Sequence, residues 1–346
     1  MNTSWNRKDQ HIHYAEMQYS SPKTNGLDGV RFVHQSLSEM SVNDVSLKTT
    51  LGDIELDTPF FINAMTGGSQ KATIINKNLA EVARDTNLAM ALGSISIALK
   101  EPQYKESFEI VRKTNPNGIL FANLGAHHSI DNAKRAVEMI EANALQLHLN
   151  TPQELVMPEG DRNFSDWLTN IEAIVNSLSV PVIIKEVGFG VSKETIKQLT
   201  DVGVTIIDVA GKGGTNFIEI ENERRDLKEY TYLYDWGQTT AESLLETRIY
   251  QDKATFIASG GIRTPLDMLK SFGLGASAVG LSGEFLHLIL TKGTHETISQ
   301  INRFKQELTH LMTLVGAKNI QSLKDKSIVL DNQLLNWCHQ RHLPIN

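Results

Sequence analysis

Thr255-Phe256-Ile257-Ala258-Ser259-Gly260-Gly261-Ile262-Arg263-Thr264-Pro265 decides how this chain folds. A short apolar run over residues 255–258 reads as a strand, breaks at a Gly-Gly pair and gives way to a helix that starts near Pro265. Adjacent glycines let backbone N–H groups approach an oxyanion closely, and the helix start adds a positive end. Tight turns would use the same glycines, so position along the chain has to separate the two readings. This is the seventh of eight strand-like runs, and a second glycine turn, Gly280-Leu281-Ser282-Gly283, follows the eighth. In parallel barrels phosphate often sits beyond strands seven and eight, whereas a doubly wound open sheet carries its glycine fingerprint after the first strand. The chain therefore reads as an α/β protein built on a (β/α)8 TIM barrel.

Working outward, strands are expected at residues 60–64, 88–92, 118–123, 144–150, 182–187, 204–209, 255–258 and 276–279. Helices are expected at 70–86, 131–141, 167–177, 193–201, 239–250 and 265–272. Residues 59–292 form the barrel on this reading, and residues 1–58 an N-terminal arm with strand-like patches at 30–33 and 45–49. Residues 293–346 form a C-terminal helical extension packed on the barrel, amphipathic over 294–314 and polar after it. The longest connection runs from Ala210 to about Trp236, and its charged run at 219–226 is either a mobile lid or a solvated surface.

Of the 346 residues, 40% are hydrophobic and 21% charged, as in soluble globular proteins. No apolar run approaches the roughly 20 residues that span a bilayer. The N-terminus has no apolar signal core, and the single Cys338 cannot form an internal disulfide. Both point to a reducing cytoplasm, and the position of Cys338 argues against a barrel-borne cysteine nucleophile. A net charge of -7 disfavours nucleic acid as a partner. An anionic substrate would need a local cationic site or a metal ion.

The densest chemistry lies at the fourth strand end. The run Ala144-Leu145-Gln146-Leu147 leads into His148-Leu149-Asn150-Thr151-Pro152-Gln153-Glu154, with an imidazole, two amides and a carboxylate. Such groups are costly to bury without partners, and Pro152 ends strand pairing and turns the following side chains away from the sheet. The plain alternative is a polar loop in which Glu154 favours a helix start. Lys185, within Ile183-Ile184-Lys185-Glu186-Val187, points into the barrel mouth and needs an anionic partner there, unless it snorkels. Strand six ends in Asp208-Val209-Ala210-Gly211-Lys212-Gly213-Gly214-Thr215-Asn216-Phe217, a third glycine-rich loop with a hydroxyl suited to phosphate. Met65-Thr66-Gly67-Gly68, Gly93-Ser94 and Asn123 end strands one to three with small or polar groups that suit a flat, hydrogen-bonding ring. A lysine beside such a ring can neutralise a reduced flavin, so the order around the barrel implies FMN, with its phosphate at the late loops.

These stretches, together with Arg7-Lys8-x-x-His11 in the arm, closely resemble the type 2 isopentenyl diphosphate isomerases, FMN-dependent barrel enzymes, over essentially the whole chain. The resemblance implies interconversion of isopentenyl and dimethylallyl diphosphate with reduced FMN and Mg²⁺ and no net redox change. It also implies NADPH as reductant and a homo-oligomer, either tetramer or octamer. By position, Met65, Thr66, Gly67, Ser94, Asn123, Lys185, Thr215, Gly261, Ile262 and Arg263 would contact FMN, with Ser282 and Gly283 completing its phosphate site. Arg7 and Lys8 would hold the diphosphate and His11 would assist them. His148 and Asn150 would help place diphosphate and metal, Gln153 would lie beside the isoprenoid, and Glu154 would ligate Mg²⁺. The sixth loop departs from the family's usual Ser-Gly and Gly-Gly-Thr-Ser-Trp at Ala210 and Phe217, which removes a hydroxyl and an indole N–H.

The implied reaction is a 1,3-allylic proton shift. Gln153 is a poor acid because an amide does not titrate near neutrality, so the proton is expected to pass through the reduced flavin, with Gln153 orienting the alkene. His148 is the rival acid. The arm is expected to order on substrate binding or against a neighbouring subunit. Two other readings compete: an FMN-dependent barrel oxidoreductase of the hydroxy-acid oxidase type, and a non-catalytic flavin- or phosphometabolite-binding protein. The first wants a histidine base at the late strand ends, where the sequence has none.

Overall fold

Eight parallel strands close on themselves in chain order: β1 (Phe60–Ile62), β2 (Met90–Ala91), β3 (Leu120–Gly125), β4 (Ala144–Leu149), β5 (Val182–Glu186), β6 (Ile206–Asp208), β7 (Thr255–Ser259) and β8 (Ala278–Leu281). Each strand pairs with its sequence neighbour, and β8 returns to β1 through Val279 opposite Phe60. The computed structural model describes residues 7–21, 23–65 and 67–345, with the side chain of Arg7 outside the description. Closure leaves no exposed sheet edge, and helices cover the outer face, so nearly every strand residue is buried on both sides.

The inward-facing residues change character along the barrel axis. Phe61, Phe121, Ile183, Ile206 and Ile257 form one apolar cluster with the alanines of β2, β4 and β8. Leu51 and Leu56 close that cluster from below. They belong to a hairpin, Thr49–Leu51 paired with Ile54–Leu56, that plugs the N-terminal end of the barrel. Two residues further along the strands the interior turns polar, with Asn63, Asn123, Lys185, Asp208 and Ser259 all buried. Residues i and i+2 share a strand face, so the apolar floor and the polar layer above it belong to the same inward face.

Local chemistry sets the helix boundaries. Ser69 caps Gln70–Thr86 by accepting from the Ala72 N–H, and Asn87 in the left-handed region ends it. Thr264 and Asp267 form a reciprocal capping box at the start of Pro265–Gly273, with Pro265 in the first turn.

Several segments differ from the sequence expectations. The arm begins as a helix, Arg7–Tyr19, that docks through contacts within the chain itself. The patch at 45–49 is not a strand; the strand starts at Thr49, after a 3-10 turn at Val42–Asp44. The tail after residue 314 is more than polar chain: Ile328–Leu330 pairs antiparallel with Val30–Phe32, and Asn332–Arg341 is a helix. Trp337 and Arg341 of that helix both donate to Glu246, at 3.0 and 2.8 Å, and hold it against the barrel. The charged run at 219–226 is not solvated throughout; only its end, at Asp226, is exposed. Phe217–Glu223 is helical there, and Glu221 and Asn222 are fully buried. No helix among the described residues is long and apolar enough to cross a membrane.

Candidate functional site

A cavity of about 380 Å³ opens at the C-terminal ends of the strands, under the arm helix. Its lining gathers Lys8, His11, Met65, Ser94, Asn123, His148, Asn150, Gln153, Glu154, Lys185, Thr215, Gly261, Ile262, Arg263, Ser282 and Gly283. Gly67 does not reach it. It packs behind, where an added Cβ would lie 2.1 Å from the Phe108 ring. Thr66 and the Arg7 side chain lie outside the described residues.

The end near β6 to β8 is built from backbone. Gly211 donates to the Ser259 carbonyl at 3.0 Å, and a Cβ on Gly260 would sit 2.0 Å from the Gly211 oxygen. The two loops touch so closely that only glycines fit between them. Gly261, Ser282 and Gly283 line the same end, where the helix Gly283–Thr291 begins. Arg263 also lines it, but its guanidinium lies 4.2 Å over the Tyr19 ring and donates to the Tyr19 carbonyl at 2.9 Å. Tyr19 stacks on His287 with its other face and donates to Glu284 at 2.6 Å. The end of the arm helix is thereby pinned to the phosphate-type loops.

Lys185 stands at the centre. Its ammonium meets Asp208 at 3.2 Å and donates to Ser259 at 3.3 Å and to the Glu186 carbonyl at 3.0 Å. Asp208, fully buried, accepts from Asn63 at 2.8 Å, from Ser259 at 2.5 Å and from the Ala210 N–H at 3.2 Å. Ala210 takes a positive φ of 32°, a conformation that a larger or branched residue would resist more.

The opposite end is cationic and oxygen-rich. Lys8, Lys100, His127 and His148 line it together. Burial first, then the positive neighbours His127 and Lys8, push the His148 imidazole down to about 3, so the ring is neutral. Its Nδ1 meets Asn123 Oδ1 at 2.9 Å. Asn150 is buried; its amide donates to Glu154 at 2.8 Å while its oxygen has no hydrogen-bond partner among the described residues. Glu154 also accepts from the Asp161 N–H at 2.8 Å.

Glu221 ties the site together, and sequence reading missed it. It meets His11 at 3.0 Å, accepts from Gln153 at 2.9 Å and pairs with Arg224. Burial raises its pKa, but the His11 contact, the Gln153 donor and the Arg224 charge outweigh that and hold it down at about 2. Asn216 caps the helix that carries Glu221, with its oxygen accepting from Ile218 and Glu219. Phe217 meets the His11 ring edge-on at 5.8 Å. Asn63, Gln146 and Asp208 were also missed, although each lies on the inward face of its strand, as Lys185 does.

The FMN-dependent dehydrogenase family matches residues 100–330. An isopentenyl-diphosphate delta-isomerase of Staphylococcus haemolyticus is 51% identical over 98% of this chain and 97% of its own length. One from Latilactobacillus sakei is 48% identical over the same shares, 98% and 97%. Among solved structures, a flavocytochrome b2 mutant with benzoylformate superposes with a TM-score of 0.68 at 19% identity, covering 99% of this chain and 86% of that one. Mandelate oxidase does so with a TM-score of 0.62 at 17% identity, over 93% and 91%. At those identities the structural likeness speaks to the barrel alone.

Proposed function

The chain belongs to the isopentenyl-diphosphate delta-isomerase family, and we propose that it interconverts isopentenyl and dimethylallyl diphosphate by a 1,3-allylic proton shift, with reduced FMN and Mg²⁺ in this cavity. One observation carries the reading: a single cavity joins a lysine and glycine-lined end to a cationic, oxygen-donor end.

The residues present fit a flavin. Ser94 and Met65 offer small or flexible walls, Lys185 a central cation, and the glycines after β6 and β7, with Ser282 and Gly283, an open backbone for phosphate. Bound and reduced, FMN would supply a proton-carrying ring face beside the alkene. Thr66, Asn123, Thr215, Ile262 and Arg263 complete the proposed contacts.

The other end fits a magnesium diphosphate. Mg²⁺ often takes one carboxylate from the protein and the rest of its oxygens from phosphate and water. Glu154 is the carboxylate, and the unpartnered oxygen of buried Asn150 beside it can accept from a metal-bound water. Arg7, Lys8, Lys100 and His127 would balance the diphosphate charge, with His11 and His148 at its border. Holding the diphosphate also limits its loss from a cation-like transition state. Gln153, steered by Glu221, would orient the alkene, and the neutral His148 is ill suited to act as the acid.

On this reading residues 1–58 bring the diphosphate clamp, 59–292 the barrel and 293–346 a packed extension. NADPH would reduce the flavin, and the enzyme would work in the cytoplasm as a homo-oligomer, tetramer or octamer. Three mutually packed helices each present an exposed apolar side chain, Met17, Ile74 and Leu290, which supports self-association. The hydroxy-acid oxidase alternative shares the barrel. Among the described residues, however, the cavity's histidines are His11, His127 and His148, from the arm and the β3 and β4 ends, with none from β6 to β8.

The deciding experiment supplies FMN, Mg²⁺ and isopentenyl diphosphate, with and without anaerobic reduction. Dimethylallyl diphosphate should form only with reduced flavin. No product under reduction, or equal product without flavin, would overturn the reading.

A further inference from the structure

Four buried polar groups and the half-buried His148 form one hydrogen-bonded line across the barrel interior, from β6 to β4. Asp208 accepts from Asn63 Nδ2 at 2.8 Å, and Asn63 Oδ1 accepts from Gln146 Nε2 at 3.0 Å. Gln146 Oε1 accepts from Asn123 Nδ2 at 3.1 Å, and Asn123 Oδ1 meets His148 Nδ1 at 2.9 Å. Asn63, Gln146 and Asp208 have no exposed surface, and Asn123 is 2% exposed, so water does not compete for the bonds among these four.

The direction of each bond follows from the end of the line. Four donors face Asp208: Asn63, Ser259, the Ala210 N–H and the Lys185 ammonium. That set complements an ionised carboxylate, which only accepts. Asn63 must therefore turn its NH₂ toward Asp208 and its oxygen toward Gln146. The Ala64 N–H donates to that same oxygen at 2.8 Å and fixes the orientation a second time. Gln146 then offers NH₂ to Asn63 and oxygen to Asn123, and Asn123 offers its oxygen to His148. An oxygen needs a donor opposite it. The reversed arrangement would set two buried NH₂ groups or two oxygens against each other and leave buried polar atoms without a partner, which is costly.

We infer that Asp208, acting through Asn63, Gln146 and Asn123, holds His148 as the Nδ1–H tautomer and leaves its Nε2 as a hydrogen-bond acceptor at the cavity. Asp208, Asn63 and Gln146 are on this view positioning residues for an imidazole that they do not touch. His148 lines the cavity, and its Nε2 lies 3.3 Å from where a Cβ on Gly125 would stand, with the His127 ring alongside. An acceptor there takes a hydrogen from a metal-bound water or a ligand O–H. The tautomer stands independently of the isomerase reading, and only its bearing on the proton shift rests on it.

Nitrogen NMR of full-length, ¹⁵N-histidine-labelled protein tests this directly, with the His148 signals assigned by their loss in His148→Asn. The wild type should show a protonated Nδ1 and a bare Nε2. Gln146→Leu cuts the line and Asp208→Asn removes its acceptor-only end, so each should shift part of the signal toward Nε2–H. Asn123→Asp keeps an acceptor opposite Nδ1 and should retain the wild-type tautomer. A protonated Nε2 with bare Nδ1 in the wild type would overturn the inference, even if no variant folds. So would wild-type spectra from both Gln146→Leu and Asp208→Asn. Because the readout needs neither flavin nor turnover, an inactive protein with the expected spectrum would refute the isomerase reading and leave this one standing.

Discussion

The Gln153 amide donates to the Glu221 carboxylate over 2.9 Å and joins the short helix after β4, Thr151–Val156, to the helix of the sixth loop. Glu221 also meets His11 of the arm at 3.0 Å, so one carboxylate fixes three separate parts of the cavity wall. Glu221→Gln keeps the volume but loses the charge that orders His11 and Arg224. The expected outcome is a fall in kcat of about a hundredfold, the scale of a misplaced substrate-orienting group, with FMN still bound. Steady-state kinetics at saturating flavin check it; an unchanged kcat would remove Glu221 from the positioning of Gln153.

Lys185 and Asp208 are a buried pair, 3.2 Å apart. Lys185→Met leaves the Asp208 carboxylate without its cation, and breaking a buried pair from one side costs about 3–5 kcal/mol. Denaturant unfolding should show that loss, and the variant should release FMN on dialysis under conditions in which the wild type stays yellow.

Gly260 and Gly293 separate steric clash from backbone strain. Both have positive φ, 101° and 76°, but a Cβ on Gly260 would strike the Gly211 oxygen at 2.0 Å, while one on Gly293 would meet nothing within 4 Å. Gly293→Ala should cost only the backbone term, about 1 kcal/mol, the low end for such strain. Gly260→Ala should cost more and abolish flavin retention by forcing the β6 and β7 loops apart. Thermal unfolding and bound-flavin absorbance of the two variants distinguish the terms.

Acid should destabilise the fold in two windows. His148 is held down to about 3 by burial and positive neighbours, whereas the unfolded imidazole takes its proton near 6.5. The unfolded state thus binds more protons between those values, and stability falls as pH drops from about 6.5, by up to about 1.4 kcal/mol per unit. For Glu221, burial is outweighed by its donors and its folded value is about 2, so its contribution is present above about 4.5 and is lost as pH falls toward 2. Urea midpoints across pH 7 to 3 should show His148→Asn flattening the upper window and Glu221→Gln the lower. A His148→Asn profile parallel to wild type above pH 4.5 would contradict the neutral ring.

The strand count, the strand order and the late glycines were legible in the sequence because they are set locally. Each apolar run carries its own period, and each glycine turn answers to the φ of its own residues. Lys185 was legible for the same reason, as a charge inside an apolar run. Asn63, Gln146 and Asp208 carried a similar signal, but a polar residue in a strand says nothing about its partner. That was decided only when the barrel closed and brought Asn63 within 2.8 Å of Asp208, 145 residues away. The same holds for Glu221, in a run whose charges read as solvated until the arm helix, 210 residues earlier, covered it. The pairing of Val30–Phe32 with Ile328–Leu330 likewise depends on both ends of the chain reaching one side of the barrel. Periodicity and turn chemistry act over a few residues, so the sequence by itself determined the frame. The partners of its buried polar groups came from closure, because only the folded chain excludes the water that would otherwise satisfy them.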